Sequence, residues 1–387
     1  MTTDDLTAAV DAAFERGDAE QGLALLRELA DTSQDPSVLH RLGVVEEQIG
    51  SAEHALSAHL RCLHAAKGNP TAYLYAGASL YQQGRIAEAL AVYSLGTDLD
   101  PDLLVAPSGR DTDPPTAQRW NHCQGVLRHH LSELHRSHVA DSSARLAKSA
   151  WVQTHDAPLP APQSGQRPYL FYIPNLDAQP WHQADTQAWA SSLEGSTDKI
   201  IAEFETALPA ILHQGRPYLD ASAATPAGME PLSGSLNWTA LDLFRDGQRT
   251  DIANAFPDTL ECLSAAPLYA LGDAPQEVFF SLLKPGQHIT PHFGLSNHSL
   301  TVHLPITIPP DCSLTAGGES RPWQAGKLAI FDDSFLHDAI NRSEQERVVL
   351  IFSIWHPDLT DKERHAIRSS FQARQDWLDQ RVLPPCP

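Results

Sequence analysis

Two histidines and an arginine near the carboxyl end are the residues best suited to chemistry. His292 stands in the run Thr290-Pro291-His292-Phe293-Gly294, and His337 closes Phe331-Asp332-Asp333-Ser334-Phe335-Leu336-His337. Arg347 follows ten residues later. This HxG…H…R spacing suits a mononuclear iron site. Two neutral imidazoles bind Fe(II), 2-oxoglutarate chelates through its 1-carboxylate and keto oxygen, and a guanidinium anchors the far carboxylate by a two-pronged charged hydrogen bond. One coordination position must stay open for O2, and the oxidising power then belongs to metal and co-substrate while the protein positions the target. On spacing alone the signal is weak, because histidines at strand ends more often serve as scaffold or surface.

The elements around these residues are strands. Glu277–Lys284, Ser299–Ile308, Gly326–Phe331 and Arg347–Trp355 are apolar runs, several of them alternating, separated by Pro/Gly turns with no helix between them. Tyr169–Ile173 is also strand-like, whereas residues 183–214 read as helical. Alternation implies one face turned inward, and a succession of short strands predicts a jelly-roll barrel.

The first hundred residues have a different texture. Pro36 and Pro70, Leu42-Gly43 and Ala76-Gly77, Gly50 and Gly84, and Ala55-Leu56 and Ala89-Leu90 recur 34 residues apart. A stack of helix–turn–helix units needs small residues at the helix crossings, glycine at the turns and proline closing each unit. The segment resembles tetratricopeptide repeats, about three units over residues 4–103; a plain helical bundle is the alternative. Residues 116–150 read as further helix, with Leu127, Leu131, Leu134 and Val139 buried. His122, His129, His130, His135 and His138 share no ligand spacing and are expected on a solvated face. Ala157-Pro158-Leu159-Pro160-Ala161-Pro162 reads as a linker. The expected organisation is therefore α+β and multidomain. Helical repeats occupy 1–103, a helical extension 104–150, a Pro-rich linker 151–167, and a double-stranded β-helix of cupin type with flanking helices 168–387.

Composition excludes some functions. The 387 residues carry a formal charge of −21, which offers no net positive field to nucleic acid. No apolar stretch is long enough to cross a membrane, and the acidic start has no leader character. Five cysteines, scattered and never in a CxxC pair, argue against a disulfide framework or zinc-thiolate site and fit a cytoplasmic protein.

Ordered blocks then sharpen the reading. Pro174-Asn175-Leu176-Asp177, Pro180-Trp181 and Asn237-Trp238 come first, then Leu283-Lys284-Pro285-Gly286, Pro291–Asn297 and Val302-His303-Leu304-Pro305. They continue through Gly326-Lys327, Ile330–His337, Arg347 and Trp355-His356-Pro357. Over about residues 168–360 the chain resembles the aspartyl/asparaginyl β-hydroxylase family, whose animal-type members also carry tetratricopeptide repeats ahead of this domain. The resemblance implies His292 and His337 as iron ligands, and Ser281 with Arg347 as the pair on the distal carboxylate of 2-oxoglutarate. It implies His303 near the iron-side carboxylate, Asp333 as an outer-shell carboxylate near the iron's water, and Trp238 on the substrate side. Gly294 stands where most enzymes of this chemistry carry the third, carboxylate ligand. In this family that is normal; in halogenases of the same barrel class a small residue there admits chloride, and the blocks favour hydroxylation.

The departures concern substrate. Where the family pattern reads N-x-R-L-x-x-H with one or two arginines, this chain has Asn297-His298-Ser299-Leu300-Thr301-Val302-His303. An acidic side chain or the proximal carboxylate loses a charged partner there, unless a protonated His298 or another arginine replaces it. The expected reaction is hydroxylation of an Asp- or Asn-type residue in a peptide or protein docked by the repeats. The alternatives are a free amino acid, lipid or natural-product substrate, or a repeat scaffold whose barrel is inactive.

Overall fold

Helix caps and glycine packing set out the amino-terminal array. The computed structural model describes residues 2–104, 112–159, 162–163, 165–221 and 227–387. Helices α1 (Thr3–Glu15), α2 (Ala19–Thr32), α3 (Pro36–Ile49), α4 (Ala52–Ala65), α5 (Pro70–Gln82) and α6 (Ile86–Leu99) form three successive pairs. Thr2, Asp18, Asp35, Ser51 and Asn69 each cap a helix with a side-chain oxygen, satisfying backbone N–H groups that the first turn leaves free. Pro36 and Pro70 open the second and third pairs instead of closing the units before them. The first helical position needs no amide hydrogen and accepts proline's fixed φ.

Within the pairs, a Cβ at Gly43 would lie 2.3 Å from the His59 ring, and one at Gly77 would lie 2.4 Å from the Tyr93 ring. Both glycines and both rings are 34 residues apart, so the repeat is a repeat of contacts as well as of letters. The next helix, α7 (Pro114–Val139), buries Leu127, Leu131 and Val139, while Leu134 is only partly covered.

The histidines of α7 depart from the expected solvated face, and only His129 is exposed. His135 is buried, its ring held by Ser370 at 2.7 Å and Ser149 at 3.0 Å, and His130 packs on Trp377. His129 joins Glu133 and Asp156 in an exposed cluster. Burial here follows the ring's apolar bulk, which helical periodicity places inward despite the polar letter.

The chain divides into two compact units. One comprises Met1–Leu134 with Thr154–Asp156 and Arg374–Pro387, the other His135–Gln153 with Ala157–Ala373. In the second unit, β1 (Ala150–Trp151) pairs with β2 (Phe171–Tyr172), so the stretch read as linker is ordered at its start. Trp151 packs on Phe171 and Phe371, an apolar burial no solvated linker makes. Pro160 and Ala161 of that stretch lie outside the described residues.

Two antiparallel sheets follow. Strands β3 (Trp181–His182), β4 (Arg216–Pro217), β5 (Trp238–Arg245), β6 (Gln248–Arg249) and β7 (Glu277–Leu283) precede β8 (His288–His292), β9 (Ser299–Thr307) and β10 (Cys312–Ala316). The chain continues through β11 (Glu319–Pro322), β12 (Ala329–Phe331), β13 (His337–Asn341) and β14 (Arg347–Trp355). The larger sheet runs β3-β12-β9-β14-β7-β5-β4 with β6 on β5, and the smaller runs β11-β10-β13-β8. Leu314, Ala316, Ile289 and Ala339 of the smaller sheet pack on Phe279, Leu283, Val349, Ile351 and Phe331 of the larger. This two-sheet sandwich is the double-stranded β-helix of an α+β protein. The other face of the larger sheet, with Phe280, Val302, Leu304, Leu350 and Phe352, is covered by α8 (Ala190–Gly195), α9 (Thr197–Ile211) and α10 (Pro257–Leu263). Pro305 sits in the central strand β9, where the β9–β14 register shifts between Val348 and Val349. Proline has no N–H to give the ladder, and the irregularity accommodates it.

Candidate metal and co-substrate site

Backbone pairing places the two histidines. His292 ends β8, His337 begins β13, and the two residues are direct partners across the strand pair. Their ring centroids are 4.0 Å apart. His292 Nδ1 donates to the Thr290 carbonyl at 2.8 Å, and His337 Nδ1 donates to the Phe335 carbonyl at 3.0 Å. A carbonyl oxygen can only accept, so Nδ1 of each ring carries the hydrogen and Nε2 keeps the lone pair. Burial, and then the neighbouring His337, push the His292 pKa down to about 4, and burial lowers that of His337. Both rings are thus neutral near pH 7, the form that binds a metal.

Asp333 lies beside the pair. Thr301 Oγ1 donates to its Oδ2 at 3.2 Å, and the Gly294 amide donates to its backbone oxygen at 2.7 Å. Burial raises its pKa to about 7. A Cβ at Gly294 would fall 2.3 Å from Asp333 Oδ1, so the Asp333 carboxylate fills the space from which a third ligand at 294 would grow. The adjacent Asp332 is scaffold instead, accepting from Gln166 Nε2 at 2.7 Å and from the Ser334 amide at 2.9 Å.

Deeper in the barrel, Arg347 opens β14 opposite Leu283 and is only 1% exposed. Its Nε and Nη1 have no hydrogen-bond partner, and its guanidinium lies 5.1 Å from the centre of the Trp323 ring. Burial pushes its pKa down to about 10, which leaves it charged at neutral pH. It makes no ion pair among the described residues, and Glu346 and Cys312 act on it only through space, a costly arrangement that leaves a seat for an anion. Trp323 Nε1 donates to His303 Nδ1 at 3.3 Å, which leaves the His303 hydrogen on Nε2, free to meet a carboxylate oxygen. Burial first, then the charge of Arg347, keeps His303 neutral. Trp238 Nε1 donates to Ser281 Oγ at 3.0 Å, so the serine hydroxyl hydrogen is free to donate in turn.

The structure therefore brings His292, His337, Asp333 and Thr301 together, and places Ser281, Arg347, His303 and Trp238 on the larger sheet's face toward the smaller one. His298 lies elsewhere. It is 2% exposed among Phe171, Tyr269, Trp355 and Phe371, neither ring nitrogen has a partner, and burial holds its pKa down to about 3. It cannot supply the positive charge missing at Ser299 and Thr301. Trp323 and Tyr218 are lining residues that the sequence did not mark. A lone tryptophan in the polar run Arg321-Pro322-Trp323-Gln324 was the only available signal.

The donor set fits a metal ion and a dicarboxylate co-substrate. Two histidines that keep a lone pair on Nε2 are direct partners across one strand pair, and a buried guanidinium with two unpartnered nitrogens lies in the same barrel.

Comparison with known proteins agrees. Residues 196–357 match the family model described as Aspartyl/Asparaginyl beta-hydroxylase. The chain is 29% identical over 261 residues to Aspartate beta-hydroxylase domain-containing protein 2 of Mus musculus, covering 65% of this chain and 73% of that one. It is 29% identical over 201 residues to Aspartyl/asparaginyl beta-hydroxylase of Homo sapiens, covering 51% and 25%. It is 30% identical over 209 residues to human Aspartate beta-hydroxylase domain-containing protein 1, covering 52% and 51%. These similarities support an oxygenase of the hydroxylase type. Over residues 196–357 the chain is similar to the aspartyl/asparaginyl β-hydroxylase family.

Proposed function

We propose that the barrel is an Fe(II)- and 2-oxoglutarate-dependent dioxygenase that hydroxylates an Asp- or Asn-type residue of a peptide or protein. The observation that carries this reading is Arg347, a fully buried guanidinium with no ion pair among the described residues, in the same barrel as two neutral, neighbouring histidines. Nε2 of His292 and of His337 would hold the iron. Arg347 and the Ser281 hydroxyl would hold the distal carboxylate of 2-oxoglutarate, and the His303 Nε2–H would meet its other end. When bound, iron and co-substrate supply the oxidation: 2-oxoglutarate, O2 and a C–H bond become succinate, CO2 and a C–OH.

The chain's own residues do the rest. The carbonyls of Thr290 and Phe335 fix each imidazole's tautomer and orientation, so no reorganisation is needed on binding metal. Asp333, tied to Thr301, stands ready to hold or release a proton beside the metal, since its raised pKa lies near working pH. The apolar lining of Phe279, Phe331, Val349 and Ile351 excludes water from the co-substrate. A polypeptide substrate would dock on the helical repeats, whose stacking builds an extended surface. Ser299 and Thr301, uncharged where arginine was expected, favour a second reading in which a smaller, non-acidic molecule is hydroxylated.

Anaerobic addition of Fe(II) and 2-oxoglutarate should give a weak visible charge-transfer band, and air should then yield succinate slowly even without substrate. His292→Ala and His337→Ala should each abolish iron retention, whereas His130→Ala should not. A protein that gives neither band nor succinate is not a dioxygenase.

A further inference from the structure

The wall of the cavity beyond the co-substrate seat carries charge of a definite sign. Alternation turns Glu277, Phe279, Ser281 and Leu283 of β7 to the same side, and Phe279 and Leu283 belong to the core between the sheets. On β5 the same rule turns Trp238, Ala240 and Asp242 inward. Along β7, Phe279 and then Glu277 follow Ser281; on β5, Ala240 lies opposite Ser281, Asp242 opposite Phe279 and Trp238 opposite Leu283. Tyr218 stacks on Trp238 at 4.2 Å and on Phe279 at 5.1 Å.

The two carboxylates, Asp242 and Glu277, differ. Asp242 is neutralised by Arg216 through hydrogen bonds of 2.6 and 3.0 Å. Glu277 has neither a hydrogen bond nor an ion pair among the described residues. It shares its space with Tyr218 and Asp333: the negative charges of Glu277 and Asp333 both disfavour ionisation of the Tyr218 phenol, and Asp333 disfavours ionisation of Glu277. Two strands away in the same sheet, β9 carries Ser299 and Thr301, both uncharged.

Arg245 is the direct cross-strand partner of Glu277, but it is exposed and its ion pair is with Asp246, at 3.5 Å. The other cations nearby are engaged or exposed. Arg216 is committed to Asp242, and Arg321 is paired with Glu319 at 2.8 and 3.0 Å. Arg167 is exposed over the Phe293 ring. An acidic side chain entering here would meet like charge, with Arg216 turned to Asp242 and Arg245 to Asp246. A cation would meet a carboxylate that makes no ion pair among the described residues, beside the aromatic ring of Tyr218. The formal charge of −21 adds a long-range field of the same sign.

We propose that the substrate brings a positively charged group, an ammonium or a guanidinium, onto Glu277 beside the Tyr218–Trp238 stack, so that the protein selects basic over acidic molecules for hydroxylation. This rests on the hydroxylase reading above and names the substrate class of that site. In a peptide the charged group is a Lys or Arg next to the hydroxylated residue; in a small molecule it is the substrate's own amine or guanidine. The pKa of Glu277, raised to about 7 by burial and then by Asp242 and Asp333, fits a carboxylate whose counter-charge arrives from outside.

The test uses the full chain with Fe(II) and 2-oxoglutarate under argon, titrated calorimetrically. The probes are capped Ala-Asn-Lys and Ala-Asn-Glu peptides, with free lysine and free glutamate as the small-molecule arms. The basic probe of at least one arm should bind about tenfold more tightly than its acidic partner, the scale of one charge-assisted hydrogen bond. Glu277→Gln should erase that ratio and Glu277→Lys should invert it. An acidic probe that binds as tightly as the basic one overturns the proposal, whether or not the variants fold. So does a folded Glu277→Gln protein, judged by circular dichroism, that keeps the wild-type ratio. Succinate formation by the wild type separates the two claims. If it forms and charge preference is absent, only the cation site falls; if neither band nor succinate appears, both readings fall.

Discussion

The Asp333 carboxylate occupies the space in which a side chain at Gly294 would begin, with Oδ1 2.3 Å from the position of a Cβ there. The missing third ligand is thus a matter of packing as well as of sequence. Gly294→Asp alone cannot restore a two-histidine, one-carboxylate face, because it must first displace Asp333 from Thr301. We expect it to lose iron affinity and about 1–3 kcal/mol of stability, the usual cost of overpacking. Gly294→Asp with Asp333→Gly should recover iron retention. Metal content after desalting checks both, and a single variant that retains iron as the wild type does would refute the packing argument.

Arg347 makes the metal-free protein less stable than it could be. Arg347→Met keeps the bulk but removes a buried charge that makes no ion pair among the described residues, so the apo protein should gain about 1–3 kcal/mol. The same change should abolish the thermal stabilisation that 2-oxoglutarate gives, about 2.7 kcal/mol at a hundredfold excess over Kd. Melting curves with and without co-substrate read both effects. A variant that is less stable when apo, or still stabilised by 2-oxoglutarate, would remove Arg347 from the seat.

How far this site was legible in the sequence depended on the kind of signal each part leaves. His292, His337 and Arg347 stood out because strongly polar types recur in order at strand ends. The larger sheet was equally plain, since β14 reads Arg-Val-Val-Leu-Ile-Phe-Ser-Ile-Trp and eight of its nine residues are buried. The smaller sheet left almost no trace. β8, His-Ile-Thr-Pro-His, buries only Ile289, and β11 buries none of its four residues, so neither carries a hydrophobic period. The fold holds these strands by pairing with partners distant in sequence, which no local pattern encodes.

Trp323, Tyr218 and Glu277 were hidden for a related reason. Each acts through one ring contact or one missing partner, visible only when β5, β7, β9 and β14 lie side by side. His298 shows the opposite error, a polar letter beside the site read as a charge for it. Alternation along β9 turns Ser299, Thr301 and His303 to the cavity and carries 298, with Leu300 and Val302, to the other face. The period-2 rule outranked residue type.

That burial gives His298 a measurable pH signature. Its folded pKa, about 3, lies below the ordinary value of 6.5. The unfolded chain therefore takes up a proton below pH 6.5 that the folded one refuses, and stability falls as pH drops from about 6.5 towards 3. His298→Phe should remove this contribution, leaving an acid limb shallower by roughly 1 kcal/mol per pH unit. It should also raise stability at pH 7 by about 1–3 kcal/mol, because two unpartnered ring nitrogens leave an aromatic cluster. Succinate formation should be unchanged. Urea titrations between pH 4 and 8 decide it, and an unaltered acid limb would mean that His298 is not buried as a neutral ring.

Glycines of the helical array offer a paired test. Gly77→Ala would gain helix propensity of about 1 kcal/mol, yet its methyl would sit 2.4 Å from the Tyr93 ring, which is 1% exposed and has no room to retreat. The clash should win, with a net loss of about 1–3 kcal/mol. Gly43→Ala, facing His59 at 2.3 Å one repeat earlier, should behave alike. Gly125 lies inside α7 with nothing within 4 Å of the added carbon, so Gly125→Ala should stabilise by about 0.5–1 kcal/mol. Thermal melts of the three variants compare position against propensity directly. If all three gain stability, the close crossings at Gly43 and Gly77 are not what spaces the repeat.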